Sequence, residues 1–182
     1  MTEYYFDIET YSTTEKPDLL NDKIITIQFQ KLSRDGGPNG DLQILTEWDC
    51  GSEKELLDRF RKIFFFGSDF SFIPVGMNLY GFDLISLIYR LNHHFNLNLS
   101  VELFRNRPVI DIKSILIMMN DGQFKGYNLM LGKKQPGNVI RTYYENKDYD
   151  KIIEYIKAET ANFIEKYQIL RKEIPNLKEA LA

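Results

Sequence analysis

Cysteine is all but absent from this chain. Cys50 is the only one, so a single copy builds neither a disulfide framework nor a cysteine zinc site, and the composition suits a reducing compartment. Histidine is nearly as scarce, with only His93 and His94. Adjacent and close to the end of one apolar stripe, they read as solvated or helix-end side chains rather than catalytic bases. A surplus of positive charge is missing too: 23 Lys and Arg stand against 26 Asp and Glu, a net charge of −3. The whole molecule is therefore no electrostatic binder of polyanions, and any such affinity must come from a local patch or a bound cation. No apolar run approaches the roughly 20 residues of a membrane span. The opening MTEYYFDIET also lacks the basic and apolar regions of a signal peptide. An intracellular, cytoplasmic protein with no membrane partner is expected.

What is present suits one domain over 1–182, with 171–182 as a peripheral C-terminal tail. Hydrophobic residues make up 43% and charged residues 27% of the 182 positions, an ordinary globular balance. Aromatics reach 14%, with 13 Phe and 11 Tyr; they fill cores, and they also stack on bases. Residues 4–8 (YYFDI), 23–30 (KIITIQFQ) and 42–46 (LQILT) read as strands. The turn-rich RDGGPNGD at 34–41 makes the first three an antiparallel run. Ser52 caps a helix on which Leu56, Leu57, Phe60, Ile63 and Phe64 recur at helical spacing. A short strand at 72–76, a helical stripe of Leu84, Leu87, Ile88 and Leu91, and a strand at 108–112 follow. A helix ending near Met119, a short helix within 126–133 and a long helix over 150–170 complete the chain. This order predicts an α/β protein, a ribonuclease H-like mixed sheet flanked by helices.

Asp7 and Glu9 stand two apart in the first strand, so both point to one face while Phe6 and Ile8 point to the other. They are either a wet polar face or a repelling pair that a hard divalent cation relieves. Asp83 opens a helix at the carboxyl end of a strand, where it can cap the helix or reach a ligand. Glu159 carries the most information. On a helix at about 100° per residue, Ile152, Tyr155, Ile156 and Phe163 all fall within about 60° of it. A carboxylate inside an apolar stripe needs a metal, a proton or a route to solvent.

Taken together, these segments resemble the DEDD superfamily of 3′→5′ exonucleases, and in particular the proofreading domain of B-family DNA polymerases. The likeness spans about residues 3–165. It is carried by FDIET at 6–10, by Gly76-Met-Asn-Leu-Tyr-Gly-Phe-Asp83, and by IDIKSIL at 110–116. The family's late Tyr-x-x-x-Asp has its counterpart in Tyr155-Ile-Lys-Ala-Glu159, with glutamate in place of aspartate. Tyr144-Glu-Asn-Lys-Asp148 matches that spacing literally, but it precedes the apolar periodicity that begins at Ile152.

The resemblance implies two divalent cations, Mg²⁺ or Mn²⁺, held by Asp7, Glu9, Asp83 and Glu159, with Asp7 bridging ions about 3.5–4 Å apart. One ion activates water and the other stabilises the leaving 3′-oxygen. Tyr155 orients the attacking water, since a phenol of unperturbed pKa near 10 is a poor base. Thr10, Asn78 and Tyr80 are expected at the terminal nucleotide. Lys133 and Lys134, in a locally basic stretch from Lys125 to Lys151, are expected on phosphates. The implied substrate is a single-stranded nucleic acid or a frayed 3′ end, DNA favoured over RNA, with a polymerase or repair partner acting in trans. The substituted fourth carboxylate also admits a non-catalytic nucleic-acid-binding module, and the fold admits a structure-specific endonuclease.

Overall fold

The computed structural model describes residues 2–14, 18–66, 69–104, 107–131, 137 and 139–173. β1 (Thr2–Tyr11), β2 (Lys23–Lys31) and β3 (Gln43–Thr46) pair antiparallel, as the turn chemistry of 34–41 predicts. A single-turn α1 (Glu47–Cys50) and α2 (Glu53–Phe64) follow. The two-residue strands β4 (Phe65–Phe66) and β5 (Asp69–Phe70) then pair with each other. Next come β6 (Phe72–Gly76), α3 (Asp83–Phe95), a 3₁₀ turn at Val101–Phe104, β7 (Ile110–Asp111) and α4 (Lys113–Met119). α5 (Tyr127–Leu131), α6 (Val139–Glu145) and the 25-residue α7 (Tyr149–Glu173) close the described chain.

The main sheet runs β3-β2-β1-β6-β7. β1 pairs parallel with β6, and β6 parallel with β7. The fold is thus α/β, a five-stranded mixed sheet flanked by helices, as expected. The elements that the sequence pattern missed, α1, β4, β5, the 3₁₀ turn and α6, span at most seven residues each. Elements that short carry too few positions for a period to show. α7 runs on to Glu173 and absorbs the start of the expected tail; 174–182 lie outside the described residues.

Helices cover both faces of the sheet, and the alternation of β1 decides what each face meets. Phe6 and Ile8 join Leu56, Leu57 and Phe60 of α2 and Leu84, Leu87 and Leu91 of α3 in one core. Tyr5, on the opposite face, packs with Phe163, Ile164, Tyr167 and Leu170 of α7. Each such fully buried side chain contributes about 1.5–3 kcal/mol relative to exposure. β2 lies between β1 and β3 under both helical layers, which is why it is buried without a break from Ile24 to Phe29. Ser52 caps α2 as predicted, accepting from the Glu55 N–H at 3.2 Å. Ile63, expected in the apolar stripe of that helix, instead faces solvent at 46% exposure.

Two local devices shape the end of the sheet where the acidic residues gather. The β1–β2 register slips between Glu9 and Thr10: Glu9 faces Thr26 but Thr10 faces Ile24, so Ile25 is an extra residue. Such bulges twist a strand and re-aim its side chains. Gly76 ends β6 where a Cβ would lie 2.7 Å from the Phe6 carbonyl oxygen. Any side chain there would push β6 off β1.

Candidate active site

Four carboxylates converge from three elements. The face of β1 that carries Tyr5 also carries Asp7 and Glu9, and it looks toward α7. α7 presents Tyr155, Glu159 and Phe163 at four-residue intervals, one stripe of a helix. Asp7, Glu9 and Glu159 each hold a carboxylate oxygen within 4.8 Å of the others. At an effective dielectric of about 20, two unit charges at that separation repel by about 3–4 kcal/mol. The trio therefore favours a cation or a proton in its midst.

Asp83 completes the set from the first turn of α3. It is 3% exposed and accepts the Ile8 N–H at 3.2 Å, which ties it to β1 rather than leaving it as a solvated helix cap. Burial, then the charge of Asp7, pushes its carboxyl well above the usual range, and its side chain hydrogen-bonds that of Asp7. Burial and the neighbouring Asp7 thus favour the protonated form of Asp83 over its carboxylate. Oxygen donors alone make up the set, the chemistry that Mg²⁺ and Mn²⁺ prefer. A buried carboxyl whose charged form lacks a compensating positive charge fits the same requirement.

Tyr155 is 8% exposed, and its side chain hydrogen-bonds Glu159. Burial first, then the charges of Glu9 and Glu159, drives its phenol far above the ordinary value. It is a fixed proton donor and not a base.

A cleft of about 410 Å³ opens on these groups, and Met77, Asn78, Phe82, Tyr127 and Leu131 form much of its remaining wall. Asn78 adopts a left-handed backbone, φ 68°. Its N–H donates to Asp111 at 2.8 Å, the Tyr80 N–H donates to the other Asp111 oxygen at 3.3 Å, and Lys113 Nζ donates to the Asn78 side-chain oxygen at 2.7 Å. Asp111 and Lys113 thus pin the loop between β6 and α3. Tyr80 is 48% exposed, and neither it nor Thr10 is among the described residues lining the cleft. Lys133 and Lys134 lie outside the described residues. In the rest of the basic stretch, Arg141 pairs with Glu145 and Lys151 with Asp148, so part of that charge is neutralised locally.

The rival fourth carboxylate sits elsewhere. Asp148 lies just before α7 and is held by Lys151 at 2.7 Å. The Tyr144 hydroxyl donates to Glu47 at 2.8 Å and accepts from Lys23 at 2.6 Å. His94 departs from the expectation of a solvated side chain: its Nε2 lies 2.8 Å from Glu53, which also pairs with Arg90. His93 and His94 do sit in the last turn of α3.

Sequence reasoning missed several residues that serve the site. Tyr5 donates its hydroxyl to Asp7 Oδ2 at 3.3 Å, and Gln28 donates its amide to the same oxygen at 2.7 Å. Burial, followed by the charge of Asp7, also keeps the Tyr5 phenol protonated. Lys113, inside the IDIKSIL stretch, reaches the Tyr127 hydroxyl at 3.3 Å. It lies 5.2 Å and 5.6 Å from the ring centres of Phe124 and Tyr127. The position of Tyr5 two residues before Asp7 was the one local signal, since it shares the acidic face of β1.

The fold and site together define an α/β protein with an all-carboxylate centre at the mouth of a cleft. No family model matches the chain, and no curated protein matches it. Among solved structures it is similar to an ExoI/SSB-Ct complex and to E. coli Exonuclease I in complex with a dT13 oligonucleotide. Each similarity has a TM-score of 0.47 and 12% identity over 65% of this chain. The chain spans 29% of the length of each of those structures.

Proposed function

We propose that this protein is a metal-dependent 3′→5′ exonuclease that releases nucleotides from a nucleic-acid 3′ end, DNA favoured over RNA. The observation that carries the proposal is the convergence of Asp7, Glu9 and Glu159 within 4.8 Å beside buried Asp83. Asp7, Glu9 and Glu159 would hold one divalent cation, and Asp7 with Asp83 would support a second. Paired cations supply an activated water and charge stabilisation at the leaving oxygen. Tyr155, which stays protonated, would turn its single O–H from Glu159, once that carboxylate holds a cation, toward the attacking water or a phosphate oxygen and orient it. Asn78 and Tyr127, which line the cleft, contact the terminal nucleotide. Lys113, bonded to both, holds them in place and adds positive charge behind that wall of the cleft.

The decisive assay uses 5′-labelled single- and double-stranded DNA and RNA, each with Mg²⁺, Mn²⁺ or a chelator. Stepwise shortening from the 3′ end, dependent on the cation, is expected. Cleavage in excess chelator would overturn the metal mechanism, and internal products from an end-blocked substrate would identify an endonuclease. Binding without nucleotide release would identify a non-catalytic module.

A further inference from the structure

Two polar side chains lie where β2 is otherwise filled by Ile24, Ile25, Ile27 and Phe29. Thr26 and Gln28 are both 0% exposed. A polar group so deeply buried is retained at a cost and needs partners. The strand register sets Gln28 across from Asp7 and Thr26 across from Glu9, on the acidic face of the sheet. Gln28 Nε2 donates to Asp7 Oδ2 at 2.7 Å, and Thr26 Oγ1 donates to Gln28 Oε1 at 2.9 Å. A carboxylate only accepts, so the amide must turn its NH₂ to Asp7. Its oxygen then faces Thr26, and the hydroxyl holds it there. The Tyr5 hydroxyl approaches the same Asp7 oxygen at 3.3 Å. Two donors on one oxygen fix the plane of the carboxylate.

We infer that Gln28, held by Thr26, is a positioning residue that orients Asp7 for divalent-cation binding. The inference rests on the proposed role of Asp7 as a shared metal ligand. Without the relay, the Asp7 carboxylate rotates more freely and loses a charge-assisted donor. Both effects raise the cost of presenting a fixed, ionised ligand. A merely structural role for the buried pair predicts something different. In that case, replacing both groups by apolar residues of similar shape is harmless to everything but packing.

The experiment measures Mn²⁺ binding to the full chain by calorimetry, with thermal unfolding as a check on the fold. The wild type is expected to bind Mn²⁺, and Asp7→Ala to lose it. Gln28→Leu and the double variant Thr26→Val with Gln28→Leu are expected to stay folded and to bind about 10–100-fold more weakly. Thr26→Val alone should weaken binding, while Thr26→Ser, which keeps the hydroxyl, should restore it. That pair decides the matter if Gln28→Leu does not fold. Wild-type affinity in folded Gln28→Leu, or equal affinity in Thr26→Val and Thr26→Ser, overturns the inference while leaving the metal centre standing. A wild type that binds no Mn²⁺ overturns the metal centre itself, and the relay with it.

Discussion

Glu159, in the middle of α7, holds a carboxylate oxygen within 4.8 Å of one on Asp7 of β1. Asp148, whose spacing from Tyr144 copies the family motif literally, is instead paired with Lys151. Glu159→Ala is therefore expected to lose nearly all cleavage and to bind Mn²⁺ weakly, whereas Asp148→Ala stays close to wild type. Glu159→Asp keeps the charge but loses reach and should show partial activity. Single-turnover cleavage of a labelled strand separates these outcomes. A dead Asp148→Ala beside an active Glu159→Ala would transfer the role to Asp148.

Tyr155→Phe should slow cleavage about 10–10³-fold without abolishing it, because a positioning hydroxyl is removed and no metal ligand is lost. Burial and the neighbouring charges of Glu9 and Glu159 hold the phenol protonated well beyond its ordinary range. The rate should accordingly show no alkaline inflection from Tyr155 up to about pH 10. A pH–rate profile of the wild type and the variant, run side by side, tests both statements.

Asp83 makes the metal-free protein sensitive to rising pH. Its folded-state pKa is raised by burial and by Asp7, so the folded form binds the proton more tightly than the unfolded form does. Its contribution to stability is complete below the unfolded value of about 4 and is lost as pH climbs through the raised folded value. The loss is about 1.4 kcal/mol for each pH unit between the two. Thermal unfolding with chelator present should show this decline, Asp83→Asn should flatten it, and saturating Mg²⁺ or Mn²⁺ should offset it. Cation binding should also release protons, which calorimetry in buffers of different ionisation enthalpy detects. An Asp83→Asn profile that matches the wild type would sink the assignment.

Glu53 works in the opposite direction. It is 5% exposed and accepts the Ile24 N–H at 2.8 Å, Arg90 Nε at 2.8 Å and a contact from His94 at 2.8 Å. Burial would raise its pKa, but the hydrogen bonds from Arg90, His94 and Ile24 outweigh it and hold the carboxyl below the usual range. Its stabilisation is thus present above the unfolded value of about 4.3 and is lost as pH falls through the depressed folded value. Glu53→Ala, which strands a part-buried Arg90, is expected to cost up to about 3–5 kcal/mol by denaturant unfolding. A surface-like change of under about 0.5 kcal/mol would show that Arg90 finds other partners.

Much of this protein is determined by its sequence alone. The two-residue period of β1 sends Asp7 and Glu9 to one face and Phe6 and Ile8 to the other. The 3.6-residue period of α7 places Tyr155, Glu159 and Phe163 on one stripe. Those periods are local, set by backbone geometry, and so they can be read without the fold. The order of the longer strands and helices along the chain, the antiparallel run of the first three strands and the position of Asp83 at a strand's carboxyl end follow from the same patterns. What the pattern could not reveal is which faces meet. Gln28 and Thr26 look like breaks in an apolar strand until the pairing with β1 puts them opposite Asp7 and Glu9. His94 reads as a solvated or helix-end side chain until α2 and α3 pack over β2 and bring Glu53 to it. That Glu159 comes within 4.8 Å of Asp7 and Glu9 while Asp148 pairs with Lys151 follows from how α7 lies along the acidic face. Register and helix placement depend on burying the whole core at once, and a period along one segment carries no information about its partner.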